Sequence, residues 1–437
     1  MKYSAFIVLF ASFVCIKLLG FESPNFILIL TDDQGWTSLS EAIDPDFPEA
    51  KSNYHQTPNM NKLLAMGLSF TNAYAASPVC SPSRYSLQFG KTPARLKKTI
   101  VRGESNVDHN QKGIPQILKS IDPDYLCAHF GKWHIDADPS MYGYDIHDGM
   151  TENGEGNFHN NDPFKQWSGY AEEDPKRVDS LTDRTIDFIY DTVDSGRPFF
   201  IQLSHYALHS DIVYSTESFA EMVIAEPGFV HRDTSFAAMI MDLDKAIGRL
   251  LEAYDDLGLS ENTYLIFTSD NGGMPVMPLQ VNYGIPHTMG LNSPLVRGKW
   301  DLMEGGIRVP FAFAGPGISK GKHSDTPVIA YDILPTLAEL AYKSSSDFER
   351  FLPDEVDGGS LVRLLLEDPT LGVQRPTQAL IFHFPHYNLC GLNEPHSAIR
   401  VGNFKLVNFH VSKRSLLFDL SEDISESNDL SLVKSGL

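Results

Sequence analysis

Five short and almost continuously apolar runs do most to limit how this chain can fold. They are NFILIL, YLCAHFG, PFFIQLS, TYLIFTS and VPFAFAG, beginning at residues 25, 125, 198, 263 and 309. Continuous rather than alternating apolar runs of this length are typical of strands buried on both faces of a parallel sheet. The runs therefore predict a large sheet with a layer of helices on each side.

Amphipathic segments between the runs predict those helices. In residues 236–258, Met239, Leu243, Ile247 and Leu250 recur at helical spacing and would share one buried face. Further helices are predicted over residues 57–67, 181–193 and 331–341. Alternating strands and helices favour an α/β fold with a mixed, mostly parallel sheet, in which ligands gather beyond the carboxyl ends of the strands.

The two ends of the chain differ from this central pattern. Residues 1–20 have Lys2, a short apolar run and then Lys17, a pattern that predicts a cleaved signal peptide and an exported, periplasmic or secreted protein without a stable membrane anchor. The main domain would then cover residues 21–345. After a polar stretch, residues 346–437 contain strand-like and hairpin-like segments, which predict a small C-terminal α+β subdomain with an antiparallel sheet.

Charge and cysteine content exclude two classes of protein. With 35 basic and 56 acidic residues the net charge is −21, which argues against nucleic acid as a partner. Loss of residues 1–20 would leave Cys80, Cys127 and Cys390, which do not make a disulfide framework. Cys127 lies in an apolar run and is predicted to be a core residue. Cys390 could be a buried residue or a functional one. Cys80 lies instead in the polar segment PVCSPSRYS, expected to be a turn.

Polar side chains follow two of the predicted strands directly. Asp32 and Asp33 come after the first run, and Asp270 and Asn271 come after TYLIFTS. Three carboxylates and one amide oxygen at one sheet edge would form a site for a hard cation, which calcium or magnesium fits better than zinc or copper. Each motif alone could equally be a cap or a turn.

Basic side chains follow the other predicted strands and loops. Candidates are Lys132 and His134 after YLCAHFG, His205 and His209 after PFFIQLS, and Arg297, Lys299 and Arg308 in a glycine-containing loop. Lys132 and His134 are two residues apart, so on an extended segment they would point to the same side. Of His205 and His209, one could be a packed core histidine, and His209 is the better catalytic candidate. Cations and histidines around a metal site suit a phosphate or sulfate ester as substrate.

The segment around Cys80 narrows these possibilities. A tyrosine phosphatase would separate its cysteine and arginine by five residues, whereas three residues separate Cys80 from Arg84. The run CSPSRYSLQFGK resembles the signature of the type I, formylglycine-dependent sulfatases of the alkaline-phosphatase-like superfamily. LTDDQGW, FGKWH, HYALH, SDNGG, GKWDLMEGGIRVP, YDILPTLAELA and IRVGNFKL follow the family's order over nearly all of the predicted mature chain. Within that family the chain resembles secreted bacterial carbohydrate sulfatases.

The resemblance implies a chemistry for Cys80. A formylglycine-generating enzyme would oxidise it in the unfolded chain, and the hydrated aldehyde would supply one hydroxyl to attack sulfur and a second whose deprotonation expels sulfate. It implies that Asp32, Asp33, Asp270, Asn271 and the modified Cys80 hold Ca²⁺, ahead of Mg²⁺. It also implies that Arg84 and Lys132 fix the nucleophile, that His134 deprotonates it, and that His209 and Lys299 bind sulfate, one of them protonating the leaving oxygen.

The sequence departs from the family pattern in places. Phe89 and Lys91 stand where threonine and arginine are usual, but both lie outside the core Cys-x-Pro-x-Arg motif, so conversion of Cys80 is still expected. Val296 and Trp300 are expected to narrow the substrate pocket.

The substrate expected from the resemblance is a sulfated carbohydrate. His383, His386 and His396 lie in the part that often lines the family's substrate pocket, and Trp36, Trp133 and Trp300 are candidates for sugar contact. Two alternatives stay open. One is a phosphodiesterase or phosphonate monoester hydrolase of the same superfamily, and the other is an inactive glycan-binding relative.

Overall fold

The structure is a computed structural model that describes residues 23–103, 106–159, 162–276, 287–343, 347–388, 390–392 and 394–433. The predicted signal peptide, residues 1–20, lies outside the described residues. The strands are β1 Asn25–Thr31, β2 Leu68–Phe70, β3 Ala73–Tyr74, β4 Leu126–Gly131, β5 Ile146–His147, β6 Tyr170–Ala171, β7 Phe199–Ser204, β8 Val213–Tyr214, β9 Thr263–Ser269, β10 Phe311–Ala314, β11 Lys322–Ser324, β12 Val328–Ile329, β13 Leu380–Phe384, β14 His396–Val401, β15 Phe404–Phe409 and β16 Ser415–Asp419. The α-helices are α1 Pro58–Ala65, α2 Cys80–Phe89, α3 Pro93–Leu96, α4 Ile114–Ile121, α5 Pro163–Ser168, α6 Val178–Ser195, α7 Thr216–Ile224, α8 Thr234–Asp256, α9 Glu304–Ile307, α10 Ile333–Tyr342 and α11 Val362–Leu366.

Within the described residues, eight strands form the main sheet in the order β11-β2-β10-β9-β1-β7-β4-β5. The central strands β9, β1, β7 and β4 pair in parallel, whereas β10 runs antiparallel to both of its neighbours. All five apolar runs form strands of this sheet, so the predicted mixed, mostly parallel α/β sheet is confirmed.

Both faces of the sheet are covered by helices, because alternate residues of each strand point to opposite sides. On β1, Ile27 and Ile29 pack in one core cluster with residues of α1, α6 and α8. Phe26, Leu28 and Leu30 pack in a second cluster with residues of α2, α4 and α10. Full burial of each such side chain stabilises the fold by about 1.5–3 kcal/mol. This burial holds the helices against the two faces of the sheet.

Helix α8 illustrates how local sequence sets an element. The Asp233 side chain accepts a hydrogen bond from the Phe236 backbone N–H at 2.9 Å and caps the first turn. The predicted face of Met239, Leu243 and Ile247 is completely buried or nearly so. The prediction for this helix is confirmed.

The C-terminal strands form a separate sheet in the order β13-β14-β15-β16, with antiparallel pairs throughout. Its inner face carries Phe382, Val407 and Phe409, which pack in one cluster with Val79 and Ile307 of the main domain. The predicted antiparallel C-terminal sheet is confirmed, and the boundary at residue 346 stays a prediction. Among the described residues, no helix is both long and apolar enough to cross a membrane.

Candidate active site

Two neighbouring parallel strands bring the predicted acidic residues together. Thr31 at the end of β1 pairs with Ser269 at the end of β9. The next residues therefore emerge side by side, and the Asp33 backbone N–H donates to Asp270 Oδ1 at 3.2 Å. The Asn271 amide donates to Asp33 Oδ1 at 2.7 Å. All of these side chains are buried.

Cys80 is the first residue of α2, so the expected turn is instead the start of a helix that continues through Phe89. Its Sγ and the carboxylate oxygens of Asp32 and Asp270 lie within 4.8 Å of one another. Cys80 is 1% exposed. Burial raises the pKa of its thiol, and although Lys132 and Lys299 oppose that shift, it stays above the ordinary value. The unmodified side chain is therefore a protonated thiol.

Three buried cations neutralise the carboxylates. Lys132 Nζ donates to Asp32 Oδ2 at 2.5 Å, and Arg84 Nε donates to Asp270 Oδ2 at 2.8 Å. Lys299 Nζ reaches both oxygens of Asp33, at 2.7 and 2.9 Å. Buried charges are stable only when paired in this way.

The two strand-end carboxylates respond differently to their surroundings. Burial alone would raise the pKa of Asp32, but Lys132 and the other nearby cations hold it below its ordinary value. Burial, with the negative charge of Asp32 beside it, raises the pKa of Asp270 even though Arg84 opposes the shift.

The oxygen donors of this cluster fit a hard divalent cation. Among the described residues, Asp32 Oδ1 and Asn271 Oδ1 are buried without a hydrogen-bond partner. An orphaned buried acceptor is costly unless something binds it. Carboxylate and amide oxygens are the ligands that Ca²⁺ prefers, so the donor set agrees with the group that the sequence predicted.

A turn brings Lys132 and His134 to the cluster. The prediction that they lie on an extended segment is wrong. β4 ends at Gly131, and His134 has a φ of 58°, which is left-handed backbone. The His134 N–H donates to Thr151 O at 2.8 Å. Burial lowers the pKa of His134 well below 6.5, with Lys132 and Arg84 acting in the same direction.

His209 lies close enough to Lys299 to feel its charge. Its Nδ1 lies 2.6 Å from Ser210 O, which assigns the proton to Nδ1 and leaves Nε2 as an acceptor. Burial lowers the pKa of His209 well below 6.5, and Lys299 lowers it further. His205 is fully buried, as expected for a packed core histidine.

Several predicted residues lie outside the cluster. Arg308 does not reach the site, because its guanidinium lies 4.2 Å from the ring centroid of Trp36 and its Nε donates to Thr71 O. Arg297 is exposed. Trp36 and Trp133 are fully buried, so neither is available to a sugar. These assignments are corrected: a long cationic or aromatic side chain in a glycine-containing or polar segment can pack inward, which local sequence does not reveal.

The C-terminal histidines each have a different hydrogen-bond partner. His396 is buried and accepts a hydrogen bond from the Leu302 N–H at 3.0 Å, so it supports the loop after Lys299 rather than lining a pocket. His383 Nδ1 lies 2.6 Å from Ser397 Oγ. His386 Nε2 lies 2.9 Å from Thr99 Oγ1. Both are half-buried. Trp300 is half-buried as well, and its backbone N–H donates to Pro78 O, two residues before Cys80.

Sequence reasoning missed Thr151. Its Oγ1 donates to Gly131 O and accepts from the Trp133 backbone N–H, while its carbonyl accepts from the His134 backbone N–H. Thr151 therefore shapes the turn that carries Lys132 and His134. No motif marks it, because its role depends on contacts across the fold.

Comparisons with known proteins agree with this geometry. A family model for sulfatases matches residues 24–343, a span that contains the whole cluster. The chain belongs to the sulfatase family. A second family model, described as N-sulphoglucosamine sulphohydrolase, C-terminal, matches residues 298–435 of this sulfatase-family chain.

Individual relatives of this sulfatase-family chain extend the comparison. An N-acetylgalactosamine-6-sulfatase of Canis lupus familiaris is 29% identical over 355 residues, which cover 73% of this chain and 62% of that protein. The chain thus spans less than two thirds of that relative. A ulvan-active sulfatase of Formosa agariphila is 28% identical over 431 residues, covering 93% of this chain and 77% of the relative.

A solved structure matches over nearly the whole length. The crystal structure of Ps i-CgsB is 26% identical, covers 95% of this chain and 90% of its own, and superposes with a TM-score of 0.73. The same protein has also been solved in complex with k-i-k-neocarrahexaose.

Proposed function

We propose that this sulfatase-family protein hydrolyses sulfate esters of a carbohydrate, with Cys80 as the precursor of its nucleophile. The observation that carries the proposal is the buried cluster in which Cys80 lies among carboxylates and three cations. Such preorganised charge stabilises an oxyanion without reorganisation. A cation-rich site at the carboxyl edge of the sheet suits a tetrahedral anion.

Conversion of Cys80 to formylglycine is part of this proposal, and the environment of the side chain supports it. A buried thiol whose pKa is raised is a poor nucleophile near neutral pH, whereas a hydrated aldehyde would supply a hydroxyl nucleophile. Because Cys80 is 1% exposed after folding, a formylglycine-generating enzyme would have to act before the chain folds.

Four side chains would hold the calcium ion, together with the modified Cys80. They are Asp32, Asp33, Asp270 and Asn271, whose oxygens meet at one edge of the sheet. A bound divalent cation would offset negative charge and polarise an oxygen of the nucleophile. Arg84 and Lys132 would orient residue 80, since both lie beside its carboxylate neighbours.

The two histidines would move protons. With its pKa well below 6.5, His134 is neutral at pH 7 and can accept a proton from the hydroxyl carried by residue 80. His209 presents Nε2 as an acceptor, and a bound sulfate anion would raise its pKa. It would then take up a proton and pass it to the leaving oxygen, while Lys299, whose pKa is raised, keeps its charge for the sulfate.

A sulfated glycan is the proposed substrate class. The ulvan-active relative and the oligosaccharide complex of Ps i-CgsB support this class by likeness. His383 and His386 are the proposed sugar contacts from the C-terminal sheet and the loop after its first strand. An exported location, through a signal peptide in residues 1–20, would bring the protein to such polysaccharides.

The experiment compares sulfate release with phosphate release from matched sulfated, phosphorylated and phosphonate esters. We expect sulfate release from sulfated oligosaccharides that a calcium chelator abolishes, added calcium restores, and Cys80→Ala lacks. Faster turnover of the phosphate or phosphonate esters would favour a hydrolase of the other superfamily type. Calcium-dependent glycan binding without any release would favour the inactive relative.

A further inference from the structure

The segment Asn153–His159 lies directly beside His209. The half-buried ring of Phe158 meets the His209 imidazole edge-on, with ring centroids 5.1 Å apart. The next residue, His159, is fastened to Asp211, its N–H donating to Oδ1 at 3.0 Å and its Nδ1 lying 2.7 Å from Oδ2. Phe158 is thus held next to the side chain that the proposed function assigns to the leaving oxygen.

A buried lysine fastens the other end of this segment. Lys176 is 1% exposed, and its Nζ donates to Gly156 O at 2.8 Å. Its backbone N–H donates to Asn157 Oδ1 at 3.1 Å. Arg177 Nε donates to Glu155 O. Lys176 and Arg177 have φ values of 54° and 55°, an uncommon left-handed conformation that needs such contacts to persist.

The segment also packs closely on the strand end that leads to His209. A Cβ atom added to Gly156 would lie 2.3 Å from Tyr206 Cγ, so the glycine backbone rests on the Tyr206 ring. Tyr206 O in turn accepts the His209 N–H at 3.1 Å. Lys176 and His209 are therefore connected by one continuous set of contacts through Gly156 and Tyr206.

Burying an amine at this place has a cost, and the hydrogen bond that offsets it goes to Gly156 O, although the charge of Lys176 also lowers the pKa of His209. Burial lowers the pKa of Lys176 to about 7, although Asp211 and Asp32 oppose the shift. Neither the cation cluster nor the two histidines hydrogen-bond to this amine. Its role is then to be found in the segment that it holds.

We infer that Phe158 is a specificity-determining residue that contacts the sugar ring carrying the sulfate, and that Lys176 is the positioning residue that holds Phe158 against His209. The inference rests on the proposed function. A phenylalanine ring offers no hydrogen bond, so it recognises the apolar C–H face of a pyranose and not the sulfate. The sugar subsite and the sulfate subsite are thus formed by different residues.

The test uses Phe158→Ala, Lys176→Met and the double variant on a sulfated oligosaccharide that the wild-type protein hydrolyses. Each single variant should raise KM about fivefold, as expected for about 1 kcal/mol, with a smaller change in kcat. Inhibition by inorganic sulfate should keep its wild-type constant. The double variant should match Phe158→Ala alone, because Lys176 acts through Phe158.

Lys119→Met is a matched control. Lys119 lies on α4, and its Nζ donates a hydrogen bond to the Gly143 carbonyl oxygen at 2.7 Å. The variant removes this hydrogen bond. It should leave KM unchanged. Phe158→Tyr, which keeps the ring, should also keep the wild-type KM and remains informative if Lys176→Met fails to fold.

Three results would overturn the inference. They are a wild-type KM in folded Phe158→Ala, a weaker inhibition by inorganic sulfate equal to the change in KM, or additive effects in the double variant. If the wild-type protein releases no sulfate from any ester, the proposed function fails and the inference fails with it. If the wild-type protein is active and Phe158→Ala has the wild-type KM, the inference about Phe158 fails while the proposed function stands.

Discussion

Each charged side chain of the site is paired with a particular neighbour, so the site is best understood first at the scale of single residues. Lys299 and Asp33 are both nearly inaccessible to solvent, and the ammonium contacts both carboxylate oxygens. The pair therefore serves two purposes. It neutralises a buried carboxylate, and it places a permanent positive charge beside His209.

Lys299→Met should remove both effects. We expect kcat/KM for sulfate esters to fall at least about a hundredfold, the usual effect of losing one group that stabilises developing charge. The buried Asp33 carboxylate left behind should lower the free energy of unfolding by about 3–5 kcal/mol. Lys62→Met is the control, because Lys62 pairs with Asp255 in an exposed bridge. Wild-type turnover by folded Lys299→Met would contradict the assignment.

His205 allows a separate test of burial at the residue scale. Both of its ring nitrogens are buried without a partner among the described residues, and burial lowers its pKa to about 3. In the unfolded chain a histidine takes up a proton below about pH 6.5. Falling pH therefore stabilises the unfolded wild-type chain and leaves the folded form unprotonated at this site down to about pH 3.

His205→Phe should remove that dependence. The stability of the variant relative to wild type should rise as pH falls below 6.5, by up to about 1.4 kcal/mol per pH unit. Urea unfolding of both proteins at pH 7, 6 and 5 gives the difference at each pH. A difference that does not change with pH would mean that His205 takes up its proton as readily in the folded protein as in the unfolded chain.

At the scale of elements, the site depends on loops that touch at glycines. A Cβ atom added to Gly272 would lie 2.0 Å from Gly305 O, and the Gly272 N–H donates to Gly306 O at 3.0 Å. This close approach joins the segment after β9, which carries Asp270, to the turn of α9, which follows Lys299. Only a residue without a side chain permits it.

Gly272→Ala should push these two segments apart. Because a displacement of about 1 Å in an active site can cost about a hundredfold in rate, we expect a large loss of kcat/KM together with a lower melting temperature. Gly372→Ala is the matched control, since nothing lies within 4 Å of the added Cβ there. Equal behaviour of the two variants would show that the contact does not position the site.

The elements also show where sequence reasoning succeeds. The central strands were predictable because full burial on both faces produces continuous apolar runs, and polar residues after β1 and β9 followed from the parallel pairing. Strands β3, β5 and β12 have two residues each and carry no periodic signal.

Residue roles that depend on distant contacts were not predictable. Arg308 packs on Trp36 and Lys176 binds Gly156 O, and neither partner is near in the chain. The resemblance to a family supplied the expected roles of Cys80 and His134, which spacing alone left open.

At the scale of the whole molecule, the C-terminal sheet and the main domain share a buried ionic network as well as an apolar cluster. Lys405 on β15 donates to Glu304 Oε1 at 2.8 Å and lies 2.8 Å from Glu426 Oε1. Glu304 is the first residue of α9, the short helix that follows the loop carrying Lys299. The C-terminal sheet thus helps to hold the segment that follows Lys299.

Lys405→Met should therefore affect the molecule as a unit. It removes the cation that contacts both Glu304 and Glu426 and leaves Arg308 Nη1 3.7 Å from Glu304 Oε2, so we expect the free energy of unfolding to fall by about 3–5 kcal/mol. Calorimetry should show one transition that moves to lower temperature, with Lys320→Met, at an exposed position, unchanged. Unfolding of a C-terminal unit alone, while sulfate release persists, would contradict this coupling.

The measurement that tests the central claim most directly is the mass of the proteolytic peptide containing Cys80, taken from active protein made in its native host. We expect the mass of the aldehyde in place of the thiol, and sulfate release in proportion to the converted fraction. Efficient sulfate release by protein in which Cys80 is entirely a thiol would contradict it.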